Sequence, residues 1–260
     1  MQDRVTIAVD DGVADVRLSR REKLNAIDGR MFDALVEAID TLAARTDVRA
    51  VVLSGEGDGF CSGLDMAAMA GGELAGLDLS ARSHGPANRV QQVAWGWRTL
   101  PVPVIAGVHG VAFGGGTQIM AGADIRLAHP ATRFAIREVH WGIVPDMGGF
   151  ALWGGVRQDV LREWVYTARE FDAAEAQAAG LVTRLVEDPR GEALALARNI
   201  AGRSPDAVRS AKRLFGTMGS ASEVMLATES AEQVALMRGE NHREAVQANM
   251  ARRRPEFRDG

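Results

Sequence analysis

Along residues 13–18 (VADVRL), Ala14, Val16 and Leu18 alternate with Asp15 and Arg17. A period of two is that of a half-buried strand, and VTIAV at 5–9 reads as a second strand across the Asp10-Asp11-Gly12 turn. From Asp28 the period changes: Phe32, Leu35, Ile39 and Leu42 share one stripe of a helix for which Asp28 is the N-cap. Short apolar runs punctuated by glycine follow. RAVVLSG (49–55), VPVIAGVHG (102–110) and DIRLAH (124–129) read as buried strands, with RFAI (133–136) a weaker one. Residues 70–88 hold several glycines and little periodicity, which predicts a mobile loop or a frayed helix.

Beyond about residue 155 the pattern reads as helical throughout. Asp172 and Glu175 bracket a first turn as a capping box, and Gly180 marks a helix stop. Ser204-Pro205 reads as an N-cap and first helical residue, and 222–252 as a long, interrupted helical stretch ending before Pro255. Strands mixed with helices in the first two thirds imply an α/β fold. A boundary near 195–205 divides a core of residues 1–200 from a helical region at 201–260.

Composition narrows the functional classes. The 260 residues are 47% hydrophobic and 25% charged, as in ordinary globular proteins with a full core. A net charge of −4 argues against nucleic-acid binding. The N-terminus has no apolar signal region, and no apolar run reaches the ~18 residues that span a bilayer. With a single cysteine, Cys61, a reducing compartment is expected, and the cytoplasm fits it.

Glycine is abundant, at 29 residues, yet no G-x-G-x-x-G and no P-loop pattern occurs. Two stretches share another design, a buried strand, a glycine-rich turn and a helix start: VVLSGEGDGFCSGLDM (51–66) and VIAGVHGVAFGGGTQIM (104–120). Facing each other, such turns would aim two backbone N–H groups at one oxygen and form an oxyanion hole. Taken singly, either is also an ordinary tight turn. No H-E-x-x-H occurs, and the five histidines lack metal-ligand spacing. Cys61 fits a small buried side chain better than a nucleophile, and Trp95, Trp97, Trp141 and Trp153 fit core packing or a cavity lining better than stacking on a cofactor.

Those stretches, with NAI (25–27), ADIRLA (123–128), FAIREVHWGIVPDMGG (134–149), AAEAQAAGLVTRLV (173–186) and ARRRPEF (251–257), resemble the crotonase (enoyl-CoA hydratase/isomerase) superfamily, in order and through nearly the whole chain. The resemblance implies a spiral of repeated ββα units with C-terminal helices that assemble homotrimers, or hexamers as dimers of trimers. It implies an acyl-CoA thioester as substrate, with no separate cofactor or metal. The Leu64 and Gly115 N–H groups would hold the thioester oxygen. Arg21, Lys23, Ala26, Ser62, Asp65 and Gln118 would contact substrate or CoA, Arg21 and Lys23 together with Arg20 by meeting its phosphates; a solvated basic turn reads as well for these three.

Hydratases of the superfamily use two glutamates. The first position is Gln118 here, and an amide does not shuttle protons at neutral pH. The second is Glu138. Asp146 stands where dienoyl-CoA isomerases carry an acid, so the resemblance implies a Glu138 and Asp146 pair that moves a proton over a long range. In isolation Glu138 also reads as a strand-end surface acid, and Asp146 as a turn residue before Gly148-Gly149. Isomerisation of an enoyl- or dienoyl-CoA is thus expected. Hydration with Glu138 as acid and base, and acyl-CoA binding without turnover, are the alternatives.

Overall fold

The computed structural model describes residues 3–72, 78–203, 205–216, 230, 233–234 and 237–253. The expected first hairpin forms: β1 (Val5–Asp10) pairs antiparallel with β2 (Val13–Leu18). Then comes α1 (Gly29–Ala43), where Asp28 accepts the Met31 N–H and the predicted stripe is buried. β3 (Ala50–Gly55) lies parallel to β2. A short α2 (Met66–Ala70) and α3 (Arg89–Thr99) lead to β4 (Val104–Val108), parallel to β3.

The single strand expected over 102–110 is in fact two. The chain turns at His109-Gly110 and continues as β5 (Val111–Phe113), which joins a different sheet. Both segments are almost wholly buried, so the apolar run carries no alternation that would expose the change of direction. α4 (Gly115–Ala121), β6 (Ile125–Ala128) and β7 (Arg133–Ala135) follow, the last confirming the weaker strand signal. A 3-10 turn (Glu138–Trp141) and α5 (Gly149–Leu152) precede α6 (Gln158–Thr167).

The chain after residue 155 is not helical throughout. β8 (Glu170–Asp172) joins the small sheet, α7 (Ala173–Ala178) follows, and β9 (Arg184–Leu185) closes the edge of the large one. At three and two residues these strands are too short to show a period. Asp172 does cap α7 by accepting the Glu175 N–H at 2.8 Å, but the capping box is half formed. The Glu175 carboxylate turns instead to Trp164 and Arg169. α8 (Pro189–Ala201), α9 (Pro205–Gly216) and α10 (Glu240–Met250) complete the elements; Ser204 and most of 217–236 lie outside the described residues.

The large sheet runs β1-β2-β3-β4-β6-β9 and the small one β5-β7-β8. Alternation on β3 divides the core. Val51 and Leu53 join the layer that holds Leu35, Ile39 and Trp97 from α1 and α3, while Ala50 and Val52 face Ala193 and Ala197 of α8. Within 70–88, residues 73–77 are outside the description. The later part is ordered as the approach to α3: Asn88 and Gln91 form a reciprocal capping box. Among the described residues no helix is long and apolar enough to cross a membrane.

Candidate active site

Two bridges fix the first glycine turn. Cys61 pairs with Ala112 of β5, and Leu64 with Ile27. Its N–H groups are used one after another: Phe60 donates to His109 O, Cys61 to Val111 O, Ser62 to Leu24 O and Asp65 to Ile27 O, all at 2.9–3.0 Å. Gly63 N–H faces Cys61 Sγ at 3.5 Å. The Leu64 N–H is left over, with no acceptor among the described residues.

The second turn repeats this. Phe113 N–H goes to Cys61 O and Gly114 N–H to Ala135 O, whereas the Gly115 N–H opens α4 and has no partner within a helix's first turn. Gly63 lets the turns meet. Its φ is +88°, and a Cβ there would stand 2.7 Å from Phe113 O and 3.6 Å from the Gly115 nitrogen. Leu64 and Gly115 line one cavity of about 170 Å³, together with Ser62, Phe113, Glu138 and Trp141. Two free N–H groups on the wall of one apolar cavity are the donor pair that a developing oxyanion needs.

Glu138 begins the 3-10 turn after β7 and is 7% exposed. A Cβ at Gly114 would lie 3.3 Å from its Oε1, so the carboxylate stands one residue from the Gly115 N–H. Oε1 accepts from Gln118 Nε2 at 2.7 Å, and Oε2 is buried without a partner. Burial lifts this carboxyl to about 7, against smaller opposing effects of backbone N–H groups and the Gln118 amide. Asp146 is 8% exposed and is likewise raised to about 7, first by burial and then by the charge of Glu138. It lines a second, larger cavity of about 330 Å³ with Phe32, Leu79, Val90 and Met147. The two cavities share Leu64, Met69 and Ile143 as walls, so the carboxylates flank adjoining spaces.

The remaining expected residues are dispersed. Ser62 is on the smaller cavity, its Oγ donating to Lys23 O at 3.2 Å. Arg21 and Lys23 are exposed in the neighbouring 3-10 turn. Asp65 caps α2 and holds Arg20 at 2.7 Å, while Arg20 also reaches Asp28 and the Ala26 carbonyl. Burial works against ionisation of Asp65, but Arg20 and the two α2 N–H groups outweigh it and keep this carboxyl below its ordinary value. Asp65 and the nearly buried Ala26 are thus engaged with the protein. So is Gln118, which is fully buried behind Glu138 and on the wall of neither cavity.

Cys61 is wholly buried, and burial pushes its thiol up to about 12, a poor setting for a nucleophile. Trp97 and Trp153 are core residues, and Trp141 is on the cavity. Among the described residues no three His, Cys, Asp or Glu side chains are placed to hold a metal ion. The sequence did not mark Phe32, Val90 or Met147 as cavity walls. Phe32 read as a core position on the α1 stripe, Met147 had no reading of its own, and Val90 lies on α3, for which no helix was expected.

A buried acid of raised pKa has a thermodynamic signature. Between about pH 4.5 and 7 the folded chain keeps a proton on Glu138 that the unfolded chain releases, so this contribution to stability is full below that window and is lost as pH rises through it. Glu138→Gln removes the loss. Thermal denaturation is expected to give the variant a higher Tm than wild type at pH 8, with the gap closing as pH falls towards 4.

The enoyl-CoA hydratase/isomerase family model matches residues 8–260. A mitochondrial Delta(3,5)-Delta(2,4)-dienoyl-CoA isomerase of Rattus norvegicus is 34% identical over 219 residues, 77% of this chain and 64% of the relative, so the chain spans a little under two thirds of that protein's length. The enoyl-CoA hydratase EchA19 of Mycobacterium tuberculosis is 36% identical over 203 residues, 76% of this chain and 74% of that one. Among solved structures, an enoyl-CoA hydratase/isomerase from Pseudoalteromonas atlantica superposes with a TM-score of 0.86 at 25% identity, covering 98% of this chain and all of the other. The α/β architecture is therefore the crotonase fold, and the chain belongs to the enoyl-CoA hydratase/isomerase family.

Proposed function

We propose that this protein isomerises dienoyl-CoA thioesters by moving a proton from C2 to C6, converting a 3,5-diene into a 2,4-diene. The observation that carries the reading is the pair of buried carboxyls on adjoining cavities, one of them beside two free N–H groups. The Leu64 and Gly115 N–H groups polarise the thioester carbonyl, which acidifies C2. Ionised Glu138, on the same wall, takes the C2 proton, and the electron pair spreads over the trienolate from the thioester oxygen to C6. Protonated Asp146, on the wall of the larger cavity further along, gives its proton to C6 as the double bonds move to positions 2 and 4. The pair then exchanges protons with solvent and returns to its starting state.

The reaction needs one proton shared between two acids, and mutual repulsion at raised pKa values favours that state near neutral pH. Exposed Arg21 and Lys23 are set to meet the CoA phosphates. Hydration is the second reading, favoured by the hydratase name of the Mycobacterium tuberculosis relative. It requires a water held opposite Glu138, and the amide that would hold it is already bonded to Glu138, Met147 and Gly149.

Mixing the protein with 3,5-dienoyl-CoA and, separately, with crotonyl-CoA tests the choice. The expected result is a rising 2,4-diene absorbance with the first and slow or no loss of enoyl absorbance with the second. Fast crotonyl-CoA hydration without diene formation would replace this reading with the hydratase. Tight binding without turnover of either would leave an acyl-CoA binding protein.

A further inference from the structure

Gln118 lines neither cavity, yet its side chain makes three bonds at the centre of the site. Its Oε1 accepts the backbone N–H of Met147 at 2.9 Å and of Gly149 at 3.1 Å. Backbone N–H groups only donate, so the atom they meet must be the amide oxygen, and the orientation of the side chain is settled. Nε2 therefore faces Glu138 and donates to its Oε1 at 2.7 Å. Glu138 Oε2, buried and without a partner, is the oxygen that remains for proton exchange. One amide thus joins α4, the turn that carries Glu138 and the segment that carries Asp146.

We infer that Gln118 is a positioning residue for the proton transfer: it holds Glu138 Oε1 as a fixed acceptor, leaves Oε2 to exchange protons, and sets the Asp146 segment through the Met147 and Gly149 N–H groups. An amide does this without exchanging protons itself. A carboxylate at the same place would stand about as close to Glu138 as the amide does and would repel it when ionised. The kinetic consequence rests on the isomerase reading, whereas the hold on Glu138 does not.

The test joins a titration with kinetics. In protein labelled with 13C at the glutamate carboxyls, Glu138→Gln identifies the Glu138 resonance. Gln118→Leu, which keeps the bulk and loses the amide, is expected to raise the Glu138 midpoint by about one pH unit, since a donor to the charged form is gone. In the same variant kcat on 3,5-dienoyl-CoA should fall by about 10²-fold, with KM within about threefold. Gln118→Glu supplies the rescue. A neutral carboxylic acid offers the same donor and acceptor as an amide, so this variant should approach wild-type kcat at low pH and lose it as residue 118 ionises. Gln118→Leu stays impaired at every pH.

A merely space-filling Gln118 would leave the midpoint and the shape of the pH profile unchanged in Gln118→Leu, and that result would overturn the inference. Should Gln118→Leu not fold, the pH dependence of Gln118→Glu decides alone, a wild-type profile counting against. If the wild type forms no diene, the NMR midpoint still decides the hold on Glu138, and the missing turnover counts against the isomerase reading.

Discussion

Asp146→Asn is expected to lower kcat for 3,5-dienoyl-CoA isomerisation by about 10²–10⁴-fold, the usual contribution of a positioned acid or base, while KM changes little. The substitution preserves shape and leaves an amide in the larger cavity, so acyl-CoA binding should persist. What it removes, on the proposed isomerisation, is the proton donor for the far end of the diene. Glu138→Gln should fall in the same range, because the C2 proton then has no acceptor. In the wild type the rate should be bell-shaped in pH and centred near 7, since the working pair carries one proton and both members are raised to that region. Steady-state diene formation across pH 5–9 checks all three. A loss below about threefold in Asp146→Asn would remove this residue from the chemistry.

Gly63→Ala should be nearly as damaging by a different route. Residue 63 is held at φ +88°, and the new Cβ would stand 2.7 Å from Phe113 O, so the two turns must separate. Leu64 N–H and Gly115 N–H would then no longer meet on one oxygen. Losing one oxyanion donor costs about 10²–10³-fold in rate, and kcat/KM is expected to drop by at least that factor. The core between the large sheet and α8 contains no residue of either turn, so the circular dichroism spectrum should be largely retained. A variant that kept kcat/KM within threefold would show that these two N–H groups do not act together.

The two glycine turns were legible because glycine punctuation after a buried strand survives in the linear sequence. Glu138 and Asp146 stand out as a candidate pair only through the resemblance; by residue chemistry alone a strand-end acid and a turn aspartate read equally well. The first hairpin and α1 followed from their periods, and β3 from a short apolar run closed by glycine. β8 and β9 did not, being shorter than any period that would show them. α3 was hidden because its buried face includes Gln91, Gln92 and Gly96 as well as apolar residues, which blurs the stripe. Gln118 was placed against substrate because its position in the resemblance belongs to a catalytic acid. Its actual partners, Met147 and Gly149, lie 29 and 31 residues further on, and no local pattern connects them.

The measurement that bears most directly on proton transfer from C2 to C6 is product labelling in D2O. In the proposed isomerisation Asp146 exchanges its proton with solvent between turnovers, so 3,5-dienoyl-CoA converted in D2O should give 2,4-dienoyl-CoA with one deuterium at C6, read by NMR, and Asp146→Asn should abolish that product. Formation of a 3-hydroxyacyl-CoA, or of a diene carrying no solvent deuterium at C6, would contradict the account.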